Sequence, residues 1–388
     1  MRIAAVWPRP RKHRWTAGRL APAQFPDASD ALLYLEAEGF EVVIEDSFGI
    51  PLNPLVRVHE FYSGLDPARA LRLAMRVRRY DAAVCVGDAS AFVLMWLRER
   101  FGFRLPIVLV DPALSYEYPR RRRLQDYVLP RAQRVVVFGR TQMDYLAREY
   151  GPAVHATFLH HRADTEFYRP DFSRSDAPAP TPVSTRASTP VPTAARGARP
   201  APAPTAAGGE RPYVLSVGND VSRDFDTLAK AAAICRASAG FDLRFVVQTT
   251  RSVDDPAAVL DLRRDTISYP DLRALYAGAS LVVLPLFDKI HAGGINTLLE
   301  AMAMARPLVV SASRGMADYV KDGETAAVVG VGDAEAMAQA ILALTRAPAD
   351  AQRLGDNARR FLVEQCDNRV YAKAMAGILC DVVAAARR

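Results

Sequence analysis

The chain has 388 residues, half of them hydrophobic, which is enough for two ordinary domains with full cores. Lys and Arg outnumber Asp and Glu 50 to 43, a formal net charge of +7. Both halves share that excess, so there is no basic tail of the nucleic-acid-binding kind, and the balance suits an anionic ligand or an anionic membrane face. Cys85, Cys235, Cys366 and Cys380 lie far apart with no CxxC or Cys/His spacing, which argues against zinc and fits buried thiols of a reducing cytosol. No apolar run approaches membrane-spanning length. The start of the chain shows no signal-peptide pattern, so a cytoplasmic location, or one peripheral to the inner membrane face, is expected.

Residues 2–7 read as a first strand. Residues 30–38 have helical spacing, Gly39 closes them, and 40–44 form a second strand. Residues 66–79 read as an amphipathic helix with Leu71, Met75 and Leu73 inward and arginines outward. A strand and turn at 80–87, a helix at 90–101, strands at 105–110 and 134–138, and a helix at 142–150 follow. Residues 176–209 are Pro, Ala, Thr, Ser and Arg with almost no large apolar side chain, and are expected to form a linker. Beyond it the alternation resumes: strand 213–217, helix 225–237, strand 243–248 and helix 271–277, then helices at 335–346, 351–365 and 369–386. Continuously apolar strands alternating with helices predict an α/β chain of two doubly wound, Rossmann-like domains. The expected division is 1–172, a low-complexity linker at 173–210, 211–368, and a final helix at 369–388 packing back on the first domain.

The densest signal lies in residues 281–310. Leu281 to Leu284 form an apolar strand stopped by Pro285, His291-Ala292-Gly293-Gly294 a turn, and Thr297-Leu298-Leu299-Glu300 fits a capping box that would start a helix near Asn296 or Thr297. Pro307 ends that helix and Leu308-Val309-Val310 begins the next strand. Glycines feeding a helix N-terminus offer uncommitted N–H groups and the positive end of the helix dipole, which suits a phosphate. The same residues also fit a plain turn and an ordinary cap.

Four segments together resemble retaining nucleotide-sugar glycosyltransferases of the GT-B fold, the group called family 4. They are HHRADTEFYRP (160–170), YVLSVGNDVSRDFDTLAKAA (213–233), ISYPDLRALYAGASLVVLPL (267–286), and HAGGINTLLEAMAMARPLVVS (291–311) with the turn Lys321-Asp322-Gly323-Glu324. The resemblance implies transfer of a hexose from a nucleoside diphosphate sugar to an acceptor hydroxyl with retention, in bacterial polysaccharide, glycolipid or glycoconjugate synthesis. It implies no metal and no further cofactor, and an acceptor that is a sugar, a lipid-linked glycan or a small molecule. The alternative is a nucleotide-binding, inactive relative that serves as a binding module. An epimerase or phosphorylase of the same architecture is a further rival, and a dinucleotide oxidoreductase ranks low because no GxGxxG follows a strand.

By the same resemblance, Glu300 accepts the ribose hydroxyls, and Asn296, Thr297 and Leu298 present backbone N–H groups to the diphosphate. Arg223 stands for the lysine placed against the pyrophosphate, and Asn219 stands where an arginine is usual. Gly218, Gly293 and Gly294 allow close backbone approach, while Tyr269 and Leu272 flank the base. His291 or Lys289 supplies side-chain contacts to the sugar, and Arg223, Glu300 and His291 are the expected catalytic residues. The first acidic residue of the paired-glutamate motif is absent, its place falling on Ala292, with Asp288 four residues earlier. Arg251 and Lys289 are candidate compensating cations. In the first domain Asp88 and Asp111 stand at strand ends and face either the acceptor or the sugar, or solvent as loop aspartates commonly do; His160 and His161 read as packing or hinge-side residues, and Arg120 to Arg123 form a basic run that either meets an anionic membrane or a phosphorylated lipid acceptor, or faces solvent.

Overall fold

The computed structural model describes residues 1–7, 26, 31–45, 67–112, 114, 121–171, 213–238 and 243–388. The linker expected at 173–210, Arg120, and the helix starts expected at 30 and 66 lie outside the described residues.

The first half builds strands β1 (Arg2–Val6), β2 (Glu41–Ile44), β3 (Ala82–Val86), β4 (Ile107–Val110), β5 (Arg134–Val137) and β6 (Ala156–Phe158). They form one parallel sheet in the order β2-β1-β3-β4-β5-β6. Between them run a 3₁₀ helix (Leu32–Glu38), α1 (Pro67–Met75), α2 (Asp88–Phe101), α3 (Arg122–Val128) and α4 (Arg140–Tyr150). The second half builds β7 (Tyr213–Val217), β8 (Arg244–Gln248), β9 (Leu260–Arg263), β10 (Leu281–Leu284), β11 (Leu308–Ser311) and β12 (Ala327–Val329), parallel in the order β12-β11-β10-β7-β8-β9. Its helices are α5 (Phe225–Ser238), α6 (Tyr269–Gly278), α7 (Ile295–Ala303), α8 (Ala334–Arg346) and α9 (Pro348–Gln365). The last helix is α10 (Asn368–Arg387). Among the described residues no helix is long and apolar enough to cross a membrane.

Each sheet is buried on both faces, which is why its central strands read as unbroken apolar runs. One face of the first sheet packs on α1 to α4 through Leu73, Leu94, Met95, Val128 and Leu146. The other face, with Ile3, Trp7, Leu32 and Leu35, packs on Tyr371, Met375, Leu379 and Val382 of α10. Each such side chain contributes roughly 1.5–3 kcal/mol of burial. The last helix therefore packs into the core that the first strand builds. Conversely, Ala163, Phe167 and Tyr168, which the sequence groups with the first domain, are buried in the second domain's core beside Tyr276 and Leu299.

Two local expectations are corrected. The inward stripe of α1 is Ala70, Leu73 and Ala74, continued by Val77 just past its end at i, i+3, i+4, i+7 spacing, so Leu73 is buried while Leu71 and Met75 face outward, 49% and 73% exposed. The helix after the glycine loop begins at Ile295, with Gly294 as N-cap (φ 87°) and no side-chain cap, so Thr297 and Glu300 do not form a capping box.

Candidate active site

At the carboxyl ends of β7 and β10 two loops are stitched together. Phe287 donates its N–H to Ser222 O (2.9 Å), Asp224 to Pro285 O (3.0 Å), and Arg223 pairs with Leu286 as an isolated antiparallel bridge. This clamp buries Arg223, 3% exposed, beneath two glycines. A Cβ on Gly218 would stand 2.4 Å from Arg223 Nε, and one on Gly294 would stand 2.9 Å from its Cζ. Only glycine leaves room for the guanidinium, and both positions carry positive φ, 144° and 87°. Arg223 Nη2 donates to Thr297 Oγ1 at 2.7 Å, while Nε and Nη1 are buried with no hydrogen-bond partner. Burial pushes the Arg223 pKa down, against the attraction of nearby Tyr276, Asp220 and Glu300. Unmatched cationic donors at the start of α7, whose Asn296 and Thr297 N–H groups lie ahead of the first helical bond, make a seat for an anion. That first bond is Leu298 N–H to Gly294 O (3.3 Å). Leu298 is therefore corrected: its N–H belongs to the helix ladder and its side chain to the core.

The seat opens into a cavity of about 310 Å³ between the domains. The second domain lines it with Gly218, Asn219, Asp220, Arg223, His291, Ala292, Gly294, Ile295, Asn296 and Thr297, and the first domain with Asp111, Phe138 and His161. The wall from the first domain is fixed by contacts across the cleft. Thr141 Oγ1 donates to Ile290 O (2.8 Å), Arg140 N–H to Asp318 Oδ2 (2.7 Å), and the Tyr319 hydroxyl to Phe138 O (2.6 Å) while it accepts the His161 N–H (2.8 Å). The His291 ring stands 3.4 Å from Gln142 Nε2 across the same cleft. Among the described residues no group of three or more His, Cys, Asp or Glu is placed to hold a metal.

Several expected residues take other roles. Asn219 lines the cavity, but its Oδ1 braces the neighbouring loop by accepting from Thr250 N (2.7 Å) and Thr249 Oγ1 (3.1 Å). Gly293 does not line the cavity; a Cβ there would stand 2.2 Å from Ser222 Oγ, so its service is loop packing. Tyr269 and Leu272 sit in the first turn of α6, which Ser268 caps, and pack against the core rather than line the cavity. Asp288 is engaged by Arg314, accepting its N–H (3.0 Å) and Nε (2.8 Å). Arg251 Nη1 donates to Asp220 O (2.6 Å), which ties it to the β7–α5 loop. Asp88 is buried on Arg121 at 3.3 Å, and burial raises its pKa. Arg122 pairs with Asp126 and Glu149, both at 2.9 Å, so internal partners hold two cations of the basic run.

Glu300 lies on α7 behind the cavity, partly buried. Its Oε2 accepts the Tyr276 hydroxyl (2.8 Å) and its Oε1 the Tyr168 hydroxyl (3.1 Å). Burial pushes its pKa up to about 7, opposed by those two hydrogen bonds and by Arg223. A carboxylate holding one O–H donor on each oxygen keeps a further lone pair on each for a diol. Sequence reasoning passed over Asp220, Phe138 and Ile295. Phe138 sits just past β5, at the carboxyl end where ligands bind such sheets, and that position was the available signal.

A loop-clamped arginine with unmatched donors, two glycines at positive φ and a helix N-terminus thus meet at one wall of the cavity. Residues 211–347 match the family model for glycosyl transferases, group 1. Over 99 residues the chain is 33% identical to an MMP α-(1→4)-mannosyltransferase of Mycolicibacterium hassiacum. That match covers 25% of this chain and 23% of that protein. The whole chain is similar in fold to sucrose-phosphate synthase from Thermosynechococcus elongatus, with a TM-score of 0.68 at 18% identity over 99% of this chain and 100% of the other. It is also similar to Anabaena HepE in complex with UDP-glucose, with a TM-score of 0.62 at 14% identity over 98% and 100%. The architecture is thus a GT-B-like pair of α/β domains, and the residues that match the group 1 model lie in the second of the pair.

Proposed function

We propose that this protein transfers a hexose from a nucleoside diphosphate sugar to an acceptor hydroxyl with retention of anomeric configuration. The carrying observation is the Arg223 guanidinium, seated under Gly218 and Gly294 with two donor nitrogens unmatched at the N-terminus of α7. In this reading the diphosphate takes those donors and the Asn296 and Thr297 N–H groups, while the ribose hydroxyls donate to the free lone pairs of Glu300. Charge developing on the leaving diphosphate is stabilised by groups held in place beforehand, so no metal is needed. The C1–O bond to the diphosphate breaks, a C1–O bond to the acceptor forms on the same face, and the acceptor proton passes to a departing phosphate oxygen. Asp111, His161 and Phe138 close the acceptor side, so catalysis rests on holding both substrates in a dry cleft.

The rival reading, a nucleotide-binding module without turnover, draws on Ala292, a buried methyl where the resemblance calls for a carboxylate. Calorimetric titration with UDP, GDP, ADP and dTDP should find one that binds wild type and is weakened about a hundredfold or more in Arg223→Gln. Incubation with the matching hexose conjugate and an acceptor panel should then release nucleoside diphosphate. Failure of all four nucleotides to bind would refute the donor site, and binding without any release would favour the rival.

A further inference from the structure

A carboxylate that reads two ribose hydroxyls has to hold both oxygens in one plane, and a glutamate side chain reaches that plane through several rotatable bonds, so its neighbours have to lock it. On α7 the Glu300 carboxyl is fixed from two directions. Tyr276 of α6 donates to Oε2 at 2.8 Å, and Tyr168 donates to Oε1 at 3.1 Å. One donor alone would let the carboxyl pivot about that bond; the second stops the rotation. We infer that Tyr168 is a positioning residue of the donor site, its hydroxyl holding Glu300 in the plane that accepts the ribose diol. The inference rests on the donor-site reading above, and it concerns a residue that the chain places well before the group 1 match at 211–347.

Tyr168 is itself held as a support has to be. It is 3% exposed, and its ring meets the Tyr276 ring edge-on with centroids 6.1 Å apart, and the Phe167 ring at 4.8 Å. Its N–H donates to Asp164 O at 3.0 Å, and Asp164 Oδ1 accepts the N–H groups of Glu166 (3.1 Å) and Phe167 (2.9 Å), which closes a turn just ahead of it. Arg273 of α6 reaches across to this turn, donating Nη1 to Phe167 O at 3.0 Å with its guanidinium carbon 4.2 Å from the centre of the Phe167 ring. Packing does not call for the hydroxyl, because a phenylalanine would fill the same space. The hydroxyl has one hydrogen-bond partner among the described residues, and that partner is Glu300.

The stretch that ends at Tyr168 also carries His161, which lines the cavity on the first-domain side. The carboxylate for the ribose is therefore set by chain that arrives from the other half of the molecule. The titratable and charged groups that face Glu300 are Tyr276 of α6, Tyr168, and Arg223 of the β7–α5 loop. All three favour its charged form, against the burial that pushes its pKa up to about 7. Taking the Tyr168 hydroxyl away leaves burial less opposed, so the carboxylate forms only at higher pH.

Wild type, Tyr168→Phe, Glu300→Leu and the double variant would be titrated calorimetrically between pH 5 and 8 with UDP, GDP and ADP, and with the 2′,3′-dideoxy form of each. For the base that wild type binds, Tyr168→Phe should weaken the nucleotide roughly three- to tenfold at pH 7 and leave its dideoxy form within about twofold of wild type. The preference for the nucleotide over its dideoxy form should rise with pH in wild type, and that rise should move to higher pH in Tyr168→Phe. In the Glu300→Leu background the same change should alter the nucleotide Kd by less than about twofold, because the hydroxyl then has no carboxylate to hold. That comparison decides the matter even where the single variant does not fold, since leucine leaves no buried carboxylate short of a donor. Equal weakening of the nucleotide and its dideoxy form, or a pH rise that stays in place, overturns the inference, because Tyr168 would then act only through the fold. An unchanged Kd in Tyr168→Phe overturns it too and leaves the donor site standing. Wild type that binds a nucleotide and its dideoxy form equally refutes the ribose role of Glu300 and this inference with it, while wild type that binds none of the six refutes the donor site as a whole.

Discussion

Gly294→Ala separates the cost of a backbone angle from the loss of a binding seat, because the fold provides its own control. Gly39 has φ 82° and Gly294 has φ 87°. An alanine at either is forced into the left-handed region at about 1–2 kcal/mol. Around Gly39 a new Cβ meets nothing within 4 Å, whereas at Gly294 it would stand 2.9 Å from both Cζ and Nη1 of Arg223. The backbone there is clamped, so the guanidinium must move. Stability should fall by about 1–2 kcal/mol in both variants, since expelling a desolvated cation offsets much of the lost Thr297 hydrogen bond at Gly294. Binding should diverge. Loss of charge-assisted hydrogen bonds to a diphosphate, about 1.5–3 kcal/mol, predicts roughly ten- to hundredfold weaker nucleoside diphosphate binding in Gly294→Ala and none in Gly39→Ala. Urea denaturation measures the first quantity and calorimetric titration the second. Wild-type affinity in Gly294→Ala, or equal weakening in both variants, would refute the reasoning that these glycines exist to seat Arg223.

Two further outcomes follow from the structure. The raised pKa of Glu300, about 7, means the folded state holds that proton more tightly than the unfolded chain does. Its stabilisation is complete below the ordinary carboxylate range and is lost as pH rises through 7, by at most about 3 kcal/mol. Glu300→Gln should flatten urea-melt stability between pH 5 and 8, while wild-type nucleotide affinity should rise over that range as the carboxylate becomes available to the ribose; no pH slope in wild type would contradict this. Leu379→Ala, in the last helix but buried against the first strands, should cost about 2–5 kcal/mol and speed amide exchange in β1 and β3. Exchange that quickens only in the second domain would contradict the shared core.

What the sequence made legible follows burial. The central strands β1, β3, β4, β7, β10 and β11 are covered on both faces and announce themselves as apolar runs. The strands that escaped notice, β6, β9 and β12, are all sheet edges of three or four residues. Leu260 and Leu262 of β9 alternate with charged partners too briefly to register. On α1 two apolar stripes compete, and the periodicity alone does not say which one the tertiary core selects. At the site, Arg223, Gly218, Gly294, Asn296, Thr297 and His291 come together around one cavity, because loops following strand ends in a doubly wound sheet converge. The misplacements have local causes: Leu298 lies one residue past the uncommitted donors, and Gly293 is small because Ser222 presses on it. The Tyr168–Glu300 contact joins residues 132 apart in sequence, beyond any local pattern.

Among the described residues the polypeptide passes from one domain to the other twice. It goes out between β6 and Ala163, and returns between Cys366 and Tyr371. The two passages lie side by side: Ala163 N–H bonds to Cys366 O at 2.8 Å, Ala163 pairs in parallel with Asp367, and Thr165 Oγ1 donates to Asp367 Oδ2 at 2.5 Å. A single passage would be a tether, free to swivel about every bond. Two passages laced together set an axle, and an axle leaves the domains one direction in which to open. The cleft that holds Arg223 on one lip and Asp111 on the other would then gape and shut like a book rather than slide.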